Sequence, residues 1–155
     1  MAKKISDEQC LANYAAVCEL FNEVIPDSDR FAVVYGYGVD VGMMNFIVIR
    51  KTTYTYSSYA IGFDVNANEI VVLPIAIDLS EYGTPYYLKN SEIRKAKISW
   101  LSKEITVRSD NLPKRYIQFN IQDQINQDPD GICICVKQDE KAKEFFDFFK
   151  QKYTK

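Results

Sequence analysis

The chain has 155 residues, of which 47% are hydrophobic, 26% charged and 14% aromatic, and its formal net charge is −2. A chain of this length and apolar content builds one domain that buries roughly 70% of its unfolded surface and folds without a disulfide or a metal. Six glycines and five prolines exclude a collagen-like or low-complexity chain, and the absence of any histidine excludes Ser-His-Asp and Cys-His catalysis, His-ligated metals and an imidazole pH switch.

Residues 7–25 read as a helix. Ser6 with Gln9 three residues later forms a capping box, and Leu11, Tyr14, Cys18, Phe21 and Ile25 recur at helical spacing on one stripe. Pro26-Asp27-Ser28-Asp29 ends it. From Phe31 to Val136 the period changes to that of β-structure. Phe31–Val39, Phe46–Arg50, Thr53–Phe63 and Glu69–Ile77 are rich in β-branched and aromatic residues, with a turn at Asn66-Ala67-Asn68 and an edge or bend at Pro74. A loop around Tyr82-Gly83-Thr84-Pro85 follows.

The next stretch alternates strictly. Ala96, Ile98 and Trp100 are expected to face the core and Lys95, Lys97 and Ser99 to face outward. Ser102-Lys103 marks a hairpin turn. Ile105 and Val107 continue the inward set, with Glu104, Thr106 and Arg108 outward. After the turn Asp110-Asn111-Leu112-Pro113, the inward residues are Ile117, Phe119 and Ile121, then Ile132, Ile134 and Val136 in a last strand. These are signals of antiparallel hairpins, not of βαβ units. Gln138–Tyr153 closes the chain as a second helix. Ala142, Phe145, Phe146, Phe149 and Tyr153 form its apolar stripe, with Phe148 on the flank, and this stripe is expected to dock on the open end of a barrel or sandwich.

Motifs that suggest chemistry fail on their surroundings. Gly36-Tyr37-Gly38-Val39-Asp40-Val41-Gly42 resembles a dinucleotide loop, but a strand-like segment follows where a helix N-terminus must receive the pyrophosphate, so a twisted or bulged hairpin is expected. Asn126, Asp128 and Asp130-Gly131 match half of a calcium loop, whose twelfth position is Lys137 in place of an acid. Cys10, Cys18, Cys133 and Cys135 lack zinc-site spacing and read as unpaired thiols. No nucleophile motif is present, no cofactor motif survives, and an enzyme is the less favoured reading. Lys3 and Lys4 are followed by Asp7 and Glu8 where a signal peptide needs apolar residues, and no window approaches a membrane span. A cytoplasmic protein is expected.

Charge is unevenly spread. Residues 1–85 carry 5 basic and 11 acidic side chains, residues 86–120 carry 8 and 3, and residues 121–155 carry 6 and 7. Lys95, Lys97, Lys103, Arg108, Lys114 and Arg115 fall on three neighbouring expected strands and their turns, and are the candidate partner-binding residues. Such a patch suits a protein partner or an acidic headgroup. Nucleic acid is disfavoured, because few aromatics share that face for base stacking.

The hairpins from Arg94 to Ile121, the Glu69–Ile77 run and the closing Lys141–Tyr153 segment together resemble the pleckstrin-homology-like superfold. That resemblance implies a bent barrel or sandwich of about seven strands over residues 31–155, with a C-terminal capping helix. Residues 1–30 then form an added N-terminal helix and linker packed on the domain. The basic cluster that binds phosphoinositides in the eukaryotic family has no counterpart over Val39–Asn45, so lipid binding is not implied. The expectation is a bacterial-type, non-enzymatic binding or scaffolding domain for a protein partner, able to form homo-oligomers. The alternatives are a barrel carrying a small apolar ligand and a histidine-free enzyme.

Overall fold

A computed structural model of the chain describes residues 4–39, 48–51, 54–128 and 131–155. The fold is α+β and mainly antiparallel β. Helix α1 spans Asp7–Val24 and is followed by strands β1 (Ala32–Val39), β2 (Val48–Lys51), β3 (Tyr54–Asp64), β4 (Glu69–Ile75) and β5 (Tyr86–Lys89). Strands β6 (Lys95–Ile98), β7 (Ile105–Arg108) and β8 (Tyr116–Phe119) come next, and helix α2 (Asp139–Phe148) runs into a wide π turn over Phe149–Tyr153.

The strands form two antiparallel sheets. One has the order β1-β3-β4-β5, with β2 also paired to β3, and the other has the order β6-β7-β8. They meet at one point, where Tyr37 of β1 and Asn120 just after β8 exchange backbone hydrogen bonds of 3.0 and 2.7 Å. Gly36 allows this approach, since a Cβ there would press on Ile61 and on the Asn120 carbonyl. Beyond that junction the edge of β1 that faces away from β3 has no strand partner among the described residues. The side chain of Gln138 stands in for one: its Oε1 accepts from the Tyr35 N–H at 2.7 Å and its Nε2 donates to the Tyr35 carbonyl at 3.0 Å and the Gln122 carbonyl at 2.8 Å. Gln138 is 4% exposed, so its amide completes buried backbone groups that would otherwise lack partners.

Helix α2 closes the opening between the sheets. Phe145, Phe148, Phe149 and Tyr153 are buried in one cluster with Phe63, Phe119, Ile105 and Ile117. Phe63 meets Phe145 edge-on at 5.3 Å and stacks with Phe148 at 5.6 Å. The turn after α2 fills the gap between β5 and β6. The Tyr153 hydroxyl donates to the Leu88 carbonyl at 2.7 Å, and Lys155 exchanges backbone hydrogen bonds with Ala96 of β6 at 2.9 and 3.2 Å.

Helix α1 lies on the outer side of the larger sheet. Ser6 caps it by accepting from the Gln9 N–H, as the capping box predicts. Its buried line is Cys10, Val17 and Phe21, with Ile25 after it; Phe21 and Ile25 are buried as the expected stripe has them, but Leu11 is 51% exposed. Phe21 sets this rotation, because its ring lies where a Cβ of Gly62 would be. Arg30 ties the linker to the sheet. It pairs with Asp27 at 2.7 Å, Asp64 at 2.9 Å and Glu69 at 2.7 Å.

Several other expectations change. Trp100 is 84% exposed, because the β6–β7 ladder gives way to a hairpin loop after Ile98 and the alternation stops there. Thr106 is buried although its side faces outward, between Lys97 and Gln118 in the ladder, with the Gln118 amide bonded to it. Phe148 is core and Phe146 lies at its margin. Residues 132–136 form no strand and run as an extended strap between α1 and the first sheet, held by Asn13 on the Cys135 carbonyl and by the Ile134 N–H on the Tyr35 hydroxyl. Strand β5 was not expected. Pro74 lies in β4 beyond the last β4–β5 pair, Val72–Tyr86, where no ladder bond is lost. The glycine-loop reading past Val39, the first two residues of the Phe46–Arg50 reading, Thr53 and part of the calcium-loop reading concern residues 40–47, 52–53 and 129–130, which lie outside the described residues, while Val48–Arg50 fall in β2.

Candidate functional site

The six candidate basic residues lie on the small sheet and its two turns. Lys95 and Arg108 are cross-strand partners on the outer face of β6-β7-β8, in one row with Tyr116, whose ring lies 5.4 Å from the Arg108 guanidinium. Lys97 is one row along, opposite Thr106. Lys103 is in the β6–β7 hairpin loop, and Lys114 and Arg115 are in the β7–β8 turn at the opposite end of β7. Both turns use left-handed backbone, with φ of 64° at Lys103 and 66° at Arg115. The six thus run along the small sheet from one turn to the other.

Lys97 and Lys103 belong to a groove that the sequence pattern did not reveal. An open trough of about 590 Å³ runs between the β6 edge and the turn after α2. Lys97, Lys103, Lys150 and Lys155 line it, together with Trp100, Ile98 and Thr154, and no acidic side chain does. Among the described residues, Lys97, Lys103 and Lys150 take part in no ion pair. Lysines gathered around one trough with no carboxylate among them favour an anionic occupant, although the Lys155 ammonium itself donates to the Asn90 carbonyl at 2.8 Å. Trp100 lines its rim at 84% exposure, and Leu101, next to it in the hairpin loop, is 79% exposed. Adjacent large apolar residues in full solvent suit a partner-contact point, and tryptophan is the side chain most enriched at such points.

The hairpin loop explains how these two residues come to project. Ser99 N–H bonds to the Glu104 carbonyl at 2.8 Å and Lys103 N–H to the Ser99 carbonyl at 2.8 Å, which closes a loop of Trp100, Leu101, Ser102 and Lys103. With the backbone held at both ends, side chains at the tip have no sheet to pack on.

Other groups of interest have structural roles. Asp64 and Glu69 are buried cross-strand partners, and both bind Arg30. Burial works against the Asp64 charge, but the amides of Ala67 and Asn66 and the Arg30 guanidinium outweigh it and hold the carboxyl below the usual range. A carboxylate held in this way is a poor proton donor at neutral pH. Burial, with Asp128 and Cys135 nearby, pushes the Cys133 thiol up to about 12, so it is protonated and not a nucleophile. All four cysteines are free, and among the described residues no group of three or more metal-ligating side chains is assembled. No helix among them is long and apolar enough to cross a membrane.

No family model, curated protein or solved structure matches the chain.

Proposed function

We propose that the chain is a non-enzymatic binding domain that takes an acidic protein partner into the lysine-lined groove beside β6. The observation that carries this reading is the groove itself: four lysines and no acid around one trough, with the exposed Trp100 at its rim. The interior supports it as well. Phe63, Phe119, Phe145, Phe148, Phe149 and Tyr153 fill the space between the sheets, which argues against a barrel carrying an apolar ligand. Both carboxylates of the buried acid pair are ion-paired with Arg30, which argues against carboxylate catalysis. Two antiparallel sheets joined at Tyr37–Asn120 and closed by a C-terminal helix support a pleckstrin-homology-like plan, with β2 as an addition to it.

Trp100 is the only tryptophan of the chain, so intrinsic emission reports directly on the groove. Poly-L-glutamate titrated at low salt is expected to shift and quench that emission saturably. High salt and the double substitution Lys97→Glu with Lys150→Glu are each expected to abolish the change. An emission that ignores the polymer, or that responds equally in the charge-reversed protein, refutes the reading.

A further inference from the structure

We infer that the groove's occupant is an extended acidic segment of another protein, added as a strand to the open edge of β6. This rests on the binding reading above and specifies its mode. The argument comes from the backbone. Ala96 turns both its N–H and its carbonyl away from β7, since both bond to Lys155. Ser99 turns both of its groups into the β6–β7 hairpin. In a strand, successive residues address opposite edges. Ile98 therefore presents its N–H and carbonyl on the same side as Ala96, into the groove that it lines. No backbone group among the described residues bonds to either one.

Lys155 thus begins a pairing along β6 that the chain does not continue, because Tyr153 is drawn into the core and Thr154 turns back to bond the Phe149 carbonyl. The unpaired edge that remains is short and flanked by lysines. Lysines guard such an edge against neutral or basic strands and leave it open to acidic ones. A lipid surface offers no strand backbone to pair with such an edge. A helical partner has no free backbone groups to offer it. An extended segment has both, and its side chains fall among Lys97, Lys103, Lys150 and Trp100, which line the groove.

The probe is a blocked heptapeptide that alternates glutamate and valine, read by Trp100 emission. Saturable binding is expected, weakened at least tenfold by Lys97→Glu with Lys150→Glu. Ile98→Pro removes one outward donor without breaking a β6–β7 bond, and proline is tolerated on an edge facing outward. It is expected to weaken binding about fivefold, the worth of one net hydrogen bond, while the thermal midpoint falls modestly because the half-buried Ile98 side chain packs on the core. The same peptide N-methylated at alternate amides tests the wild-type protein directly, so a misfolded proline variant does not spare the idea; it is expected to bind at least fivefold more weakly. If charge reversal abolishes binding while Ile98→Pro and N-methylation leave it unchanged, strand addition is wrong and the acidic groove stands. If charge reversal has no effect, both fail. Binding to phosphatidylserine vesicles in place of the peptide, or a dimer that Ile98→Pro dissolves, overturns the assigned occupant.

Discussion

Strands β1 and β6 are both edges of their sheets, and the chain treats them in opposite ways. The β1 edge is sealed: Asn120 takes Tyr37, and the Gln138 amide takes both backbone groups of Tyr35. The β6 edge receives one partner, Lys155 at Ala96, and then faces an open groove lined with lysines. An unpaired edge in a buried place has a high energetic cost, so a side chain is recruited to complete it. An unpaired edge in contact with water costs little, and charge suffices to control what pairs with it. The first edge serves stability and the second recognition, and substitutions at each should separate those two properties.

The largest effect is expected at the sealed edge. Gln138→Ala strands the Tyr35 N–H and carbonyl and the Gln122 carbonyl, and should destabilise the fold by about 3 kcal/mol, read as a lowered midpoint in urea or heat. Arg30→Ala should follow at about 2 kcal/mol, because it leaves Asp64 and Glu69 as buried charges without a cation, and a partly exposed arginine is worth less than a fully buried one. Acid tests the same contact. The folded-state pKa of Asp64 is depressed, so its stabilisation is complete above the ordinary aspartate value of about 4 and is lost as pH falls through the lowered folded value. Denaturation curves of the wild type and Asp64→Asn should therefore converge in strong acid and diverge toward neutrality.

At the open edge the order reverses. Lys97→Glu with Lys150→Glu should move stability by less than about 0.5 kcal/mol while removing affinity for acidic chains. Trp100→Ala should leave the melting curve unchanged within about 0.5 kcal/mol, since its side chain packs on little, and should weaken capture of the heptapeptide severalfold, followed by a label on the peptide. A large loss of stability from Trp100→Ala would mean that the hairpin tip is structural and would erase the contrast.

The sequence makes some of this legible and hides the rest for physical reasons. Local signals held: Ser6 as a cap, Ala96, Ile105, Val107, Ile117 and Phe119 as inward positions, and the hairpin turn near Lys103. Alternation misplaced Trp100, because a periodic pattern carries no mark of where a ladder stops. Of the groove's lysines, Lys97 and Lys103 stood out within a basic segment, but Lys150 and Lys155 reach the groove from the far side of α2, and only the docking of that helix brings them there. Gln138 gave no signal at all. A glutamine ahead of a helix looks like any polar residue until its amide is seen against the Tyr35 backbone.

Amide hydrogen exchange at Tyr35 and Ile98 tests the difference between the two edges most directly. The account predicts slow exchange at Tyr35 with or without the acidic heptapeptide, and fast exchange at Ile98 that slows at least tenfold when the peptide is added. An Ile98 amide already as protected as that of Tyr35 in the free protein, or one whose exchange the bound peptide leaves unchanged, would contradict it.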